Sequence, residues 1–129
     1  MYERQVMRGD IYYAKLGKTV GSVQGKIRPV VVLQNNKGNK HSPTLIVATI
    51  TSKSRKKRTL PTHVIFKMDD LPYESVVQLE QITTIDKKQL LNFVSQMPQS
   101  AMKRIDEAIR VSLSLNEHKR REKQDAEHK

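Results

Sequence analysis

KIRPVVVLQNNKGNKHSPTLIVATIT, residues 26–51, holds the pattern that decides the fold. Two runs rich in β-branched residues, 29–34 and 44–51, flank a segment, 35–43, that carries Asn-Asn, Gly-Asn and a proline. Side chains branched at Cβ pack well on a pleated surface, whereas Asn, Gly and Pro supply turn conformations, so the stretch predicts strand, loop, strand. Segments of the same strand-like kind lie at 10–14, 62–67 and 75–82, joined by the Gly-, Ser- and Pro-bearing connections 17–25 and 52–61. Several short strands without intervening helices predict a small curled sheet or barrel.

Helical periodicity enters late. Asp86 is placed to cap a short turn over residues 87–91. From Gln99 onward, Met102, Ile105, Ala108 or Ile109, and Ser112 or Leu113 recur every three to four residues, leaving Lys103, Arg104, Asp106, Glu107 and Arg110 toward water. This spacing predicts one amphipathic helix lying on the sheet. The tail NEHKRREKQDAEHK, residues 116–129, has no apolar residue except Ala126 and reads as a solvated helix extension or a disordered segment.

A chain of 129 residues suffices for one compact domain with a modest core. It contains no cysteine, which excludes disulfides, thiolate nucleophiles and sulfur-ligated zinc. Its apolar runs are far shorter than the roughly 20 residues that span a bilayer, and MYERQVMRGD lacks a signal-peptide core, so no membrane role and a cytoplasmic location are expected. The net charge of +11 is unevenly placed. Residues 11–68 contain no Asp or Glu, yet hold Lys15, Lys18, Lys26, Arg28, Lys37, Lys40, Lys53, Arg55, Lys56, Lys57, Arg58 and Lys67. Like charges crowded into one half repel, and an anionic partner such as a nucleic acid backbone relieves that repulsion.

Within the basic half, Arg28 stands at a loop-strand edge, where a planar guanidinium held on a rigid strand end suits two oxygens of a phosphodiester. Thr51 ends the strand TLIVATIT beside the SKSRKKR loop, where its hydroxyl could donate to a developing oxyanion. His41 and His63 are candidates for proton transfer. Neither the scattered histidines nor Asp69, Asp70, Glu74, Glu80 and Asp86 show metal-ligand spacing, so neither a metal nor a cofactor is expected. Cleavage without a metal favours RNA, which carries its own nucleophile in the 2′-hydroxyl. The protein then has only to align oxygens and stabilise charge.

In-order segments at 8–14 (RGDIYYA), 21–35 (GSVQGKIRPVVVLQN), 38–51 (GNKHSPTLIVATIT), 60–64 (LPTHV), 79–86 (LEQITTID) and 105–115 (IDEAIRVSLSL) resemble the MazF/PemK/Kid family of toxin endoribonucleases, especially its Gram-positive branch. The resemblance implies a mainly β SH3-like small barrel with a C-terminal amphipathic helix over residues 7–115, followed by the charged tail. It also implies a homodimer that cuts single-stranded RNA at short preferred words, and a MazE-like antitoxin whose flexible acidic segment inhibits it. The catalytic arginine and threonine of such enzymes match Arg28 and Thr51, and their RNA contacts match Ser22, Gln24, Pro61, Thr62, His63 and Gln81. Val23 replaces an acidic residue common in relatives, Thr83 replaces the arginine of EQIRTID, and Asn36 an aspartate, which bears on the preferred word and rate. Two other readings are a CcdB-like gyrase inhibitor that cuts nothing and a simple RNA-binding module. The latter has only Phe66, Phe93 and four tyrosines for base stacking.

Overall fold

The computed structural model describes residues 4–17, 26–56 and 58–115. Six strands and two α-helices follow in chain order: β1 (Asp10–Leu16), β2 (Lys26–Val32), α1 (Asn36–His41), β3 (Thr44–Ser52), β4 (His63–Phe66), β5 (Ser75–Asp86), β6 (Leu90–Gln96) and α2 (Gln99–Leu113). The strands form one sheet in the order β4-β5-β3-β2-β1-β6, with every neighbouring pair antiparallel. The fold is mainly β with a C-terminal helix, the class expected from the sequence. No helix among the described residues is long and apolar enough to cross a membrane.

Both faces of the sheet are buried, which explains why β2 and β3 read as continuous apolar runs instead of alternating. Ile11, Val31, Ala48, Ile50, Val77 and Leu79 pack with Ala101, Ile105 and Ala108 of α2 on one face. Tyr12, Ala14, Val30, Val32, Leu45, Val47 and Ile85 form a smaller cluster on the other. Ile105 is fully buried, so its truncation to alanine would cost about 2–5 kcal/mol. α2 ends where Ser114 adopts a left-handed conformation (φ 57°) and the Leu115 N–H reaches back to the Arg110 carbonyl at 3.0 Å, closing the last turn. This stop precedes the tail, residues 116–129, which lies outside the described residues.

Arg8 ties the elements together: its backbone N–H donates to Asn36 Oδ1 (2.7 Å), Nε to the Leu33 carbonyl (2.8 Å) and Nη2 to Asp106 of α2 (2.6 Å). Gly9 beside it has φ +92°, a conformation that glycine adopts without a Cβ clash, and this lets its N–H pair with the Val32 carbonyl at 2.8 Å.

Two elements differ from the sequence expectations. Residues 35–43 are not simply a loop, because Asn35 accepts from the Gly38 N–H (2.8 Å) and caps the short helix α1. The turn after β5 is the capped one expected at Asp86, a 3-10 turn over Lys87–Gln89, but the chain then enters a sixth strand instead of continuing as turn.

Candidate active site

β2 and β3 pair with Val30 opposite Thr49, Val31 opposite Ala48 and Val32 opposite Val47. Carried two residues further, this register sets Arg28 across from Thr51. Both line a recess of about 470 Å³ at the strand ends, together with Ser52 at the end of β3, Ser54 and Arg55 of the following 3-10 turn, and Tyr13, Tyr73 and Ser75. They also line an adjoining recess of about 340 Å³ with Lys26, Thr49, Arg55, Lys56, Gln78 and Gln81. Arg28, Thr51 and Arg55 thus form the shared wall of two halves of one groove. No acidic residue lines either half among the described residues. Thr51 is buried and held by β5 on its far side, where it pairs with Val76, so its hydroxyl sits on rigid backbone.

The second half of the groove owes its shape to a break in the β3-β5 ladder. Ala48 faces Ile82 while the next residue, Thr49, faces Gln78, so residues 79–81 bulge out of register. The bulge is anchored by the buried Leu79, whose N–H donates to the Thr62 carbonyl (2.9 Å) and whose carbonyl accepts from Ser112 Oγ of α2 (2.7 Å). It turns Gln81 toward Thr49, whose hydroxyl donates to Gln81 Oε1 at 3.2 Å, and turns Glu80 the other way.

Glu80 meets His63 and Thr62. His63 Nδ1 accepts from the Leu60 N–H (3.1 Å), which fixes the ring proton on Nε2, and Nε2 lies 2.8 Å from Glu80 Oε2. The Thr62 hydroxyl donates to Glu80 Oε1 at 3.1 Å. Burial alone would push the Glu80 carboxyl up, but the hydrogen bonds from its own backbone N–H, from His63 and from Thr62 outweigh burial and hold it below the usual carboxylate range.

Of the residues singled out in the sequence, the structure brings Arg28, Thr51 and Gln81 into the groove. Pro61 and His63 line a separate hollow between β4 and α2, with Arg104 and Glu107. With both ring nitrogens engaged, His63 is not a free proton shuttle in this arrangement, and His41 lies at the end of α1, away from the groove lining. Ser22, Gln24 and Val23 lie outside the described residues. Sequence reasoning missed Arg55, Thr49 and Gln78 as groove residues; the bulge that creates their setting has no local signature.

A family model described as PemK-like, MazF-like toxin of type II toxin-antitoxin system matches residues 7–113. Endoribonuclease EndoA of Bacillus subtilis is 47% identical over 112 residues, spanning 85% of this chain and 96% of that protein. A mycobacterial endoribonuclease in complex with its cognate antitoxin superposes with a TM-score of 0.71 at 25% identity, covering 85% of this chain and 96% of that one. A chain of a MazE-MazF complex from Deinococcus radiodurans shares the fold, with a TM-score of 0.72 at 16% identity over 87% of this chain and 98% of that one. A chain with this sheet, this groove and a match along nearly its whole described length belongs to the PemK-like, MazF-like toxins of type II toxin-antitoxin systems.

Proposed function

We propose that this chain is an endoribonuclease toxin that cuts single-stranded RNA within the Arg28-Thr51 groove, by transesterification and without a metal. The observation that carries this reading is the convergence of Arg28, Thr51 and Arg55 on one groove free of described carboxylates, in a member of this toxin family. In the reaction the ribose 2′-oxygen attacks the adjacent phosphorus and loses its proton. The bond from phosphorus to the 5′-oxygen breaks, and that oxygen takes up a proton. The products are a 2′,3′-cyclic phosphate and a 5′-hydroxyl. Arg28 offers paired N–H donors to the non-bridging oxygens, where negative charge grows at the transition state, and the Thr51 hydroxyl offers a further donor. The donor set suits an anion and not a divalent cation, which would need carboxylate or carbonyl ligands.

Gln81 serves as an RNA contact from the bulge, and Pro61, Thr62 and His63, with Ser22 and Gln24, are further RNA contacts on the strength of the family resemblance. The same basic groove is the place for an antitoxin's flexible acidic segment, in keeping with the antitoxin-bound mycobacterial relative. The working unit is a homodimer in the cytoplasm. The test is incubation of a defined transcript with the pure protein in excess EDTA, followed by mapping of new ends. Cleavage at a recurring short word with cyclic phosphate ends is the expected result. Strict magnesium dependence would overturn the chemistry, and intact RNA beside stalled gyrase complexes would overturn the activity.

A further inference from the structure

Gln78 and Thr49 are polar side chains in a mostly apolar part of the sheet, with only 4% and 7% of their surfaces exposed. Val76, Val77 and Leu79 flank Gln78, and Val47, Ala48 and Ile50 flank Thr49, all of them buried. Burying an amide and a hydroxyl costs free energy unless each finds a partner. Here they find each other, and the chain of bonds runs outward. Gln78 Nε2 donates to Thr49 Oγ1 at 3.1 Å, and Thr49 Oγ1 donates to Gln81 Oε1 at 3.2 Å. Gln81, on the bulge, is exposed and lines the groove beside Arg28 and Thr51.

The direction of this relay has a chemical consequence. A hydroxyl has one proton, and Thr49, having accepted from Gln78, spends that proton on Gln81 Oε1. The carbonyl end of the Gln81 amide is thereby held at Thr49, and its Nε2 is the end left for a ligand. We infer that Thr49 and Gln78 are positioning residues that fix Gln81 as a hydrogen-bond donor, so that the groove selects, at one position of its RNA word, a base whose edge offers an acceptor. This rests on the endoribonuclease reading above and goes beyond it, since it assigns a part in base selection to two side chains buried in the wall of the groove behind Gln81. A base with a ring nitrogen or carbonyl facing Gln81 gains a hydrogen bond, and a base presenting an amine there leaves two donors opposed.

The relay is reversible by design of its end. Glu at position 78 is acceptor-only when ionised and then takes the Thr49 proton; burial favours its protonated form, which donates as the amide does, so this variant is assayed on the alkaline side, where the carboxyl is ionised. Thr49 then accepts from Gln81 Nε2, and Gln81 turns Oε1 to the groove. The experiment is end mapping on a pool of RNAs in which every position around the cleaved bond is randomised, with kcat and KM measured for the preferred word. Wild type, Thr49→Val, Thr49→Ser and Gln78→Glu are compared, each shown to be folded by circular dichroism.

The expected result is that Thr49→Val, equal in shape but without the hydroxyl, loses about tenfold in kcat/KM at the wild-type word, mostly in KM, and relaxes the preference at one position only. Thr49→Ser restores the wild-type profile. Gln78→Glu shifts the preference at that same position toward a base presenting a donor. A folded Thr49→Val that keeps the wild-type word, or that loses rate equally at every word, would overturn the inference, because a merely structural pair predicts one of those two outcomes. If Thr49→Val does not fold, Gln78→Glu decides, and retention of the wild-type word by that variant on the alkaline side, where its carboxyl is ionised, counts against the relay. Wild-type protein that cuts no RNA at all removes the endoribonuclease reading itself, a different failure from the loss of the relay.

Discussion

Two recesses of this molecule are rich in cations, and they differ in what those cations already hold. One, about 710 Å³, lies beside β6 and is lined by Arg4, Lys40, Lys87 and Lys88 around Tyr12, Leu91 and Phe93. Its charge is partly committed within the chain. Arg4 pairs with Asp10 at 3.3 Å and lies 3.8 Å over the Phe93 ring, which meets Tyr12 edge to face at 5.5 Å, and Lys87 donates to the Asn39 carbonyl. In the strand-end groove, by contrast, Arg28 and Arg55 pair with no carboxylate among the described residues, and hydroxyls stand beside them. Volume and basic composition alone do not separate the two, since the halves of the groove together are about as roomy and carry Lys26, Arg28, Arg55 and Lys56. The disposition of partners favours the second, since a guanidinium already bound to a carboxylate and a ring must give those contacts up before it can hold a phosphate.

The sharpest way to break this contrast is to remove one cation from each recess. Arg28→Ala should lower kcat for RNA cleavage by about 10²–10³-fold, the scale for losing one donor to a developing oxyanion. Lys88→Ala should leave it within about twofold, as an exposed lysine on the other recess carries no transition-state charge. Equal losses in a single-turnover assay would merge the two recesses into one site. Tyr12→Ala should do the opposite of Arg28→Ala. Tyr12 is 6% exposed and seals the smaller apolar cluster, so its truncation should cost about 3 kcal/mol in denaturant unfolding, with little change in rate per folded molecule.

A third measurement separates binding from chemistry. Arg55 projects from the 3-10 turn after β3 into both halves of the groove, so Arg55→Ala should reduce the slope of log affinity against log salt by about one, with a loss of affinity at low salt. Lys40→Ala, on the other recess, should leave the slope unchanged. Identical slopes for wild type and Arg55→Ala would mean that this arginine meets no phosphate.

Much of this arrangement was legible in the residues, and what was not has physical reasons. β3 and β5 announce themselves because β-branched side chains recur where both faces are covered. β6 does not, because LLNFVSQ is a largely exposed edge strand whose pattern carries no strict alternation. α1 was hidden by its composition. Asn and Gly are weak helix formers, and only the Asn35 cap and the burial of Asn39, whose Nδ2 reaches the Gln34 carbonyl at 2.9 Å, make six residues helical. Arg28 and Thr51 were nameable from chemistry and resemblance, yet their closeness needed the β2-β3 register. Arg55 passed for part of a solvated charge run. Gln78 did leave a trace, an amide interrupting the apolar run Val76, Val77, Leu79, which signals a buried polar group in need of a partner.

The smallest expected effect concerns the far side of the bulge, where the Glu80 carboxylate is turned away from the groove. Glu80 is held below the ordinary carboxylate range, so its contacts with His63 and Thr62 stabilise the fold above the unfolded-chain value and are lost as pH falls through its lower folded value. Glu80→Gln keeps the shape and an acceptor for His63 but not the charge. Its unfolding midpoint should lie slightly below that of wild type near neutral pH, and the gap should close as the solution is taken into and below the carboxylate range. A gap that widened in acid would reverse the sign assigned to Glu80. A variant that instead gained RNA affinity at neutral pH with unchanged stability would show that this carboxylate acts on the groove by repelling phosphate, and not by pinning the bulge.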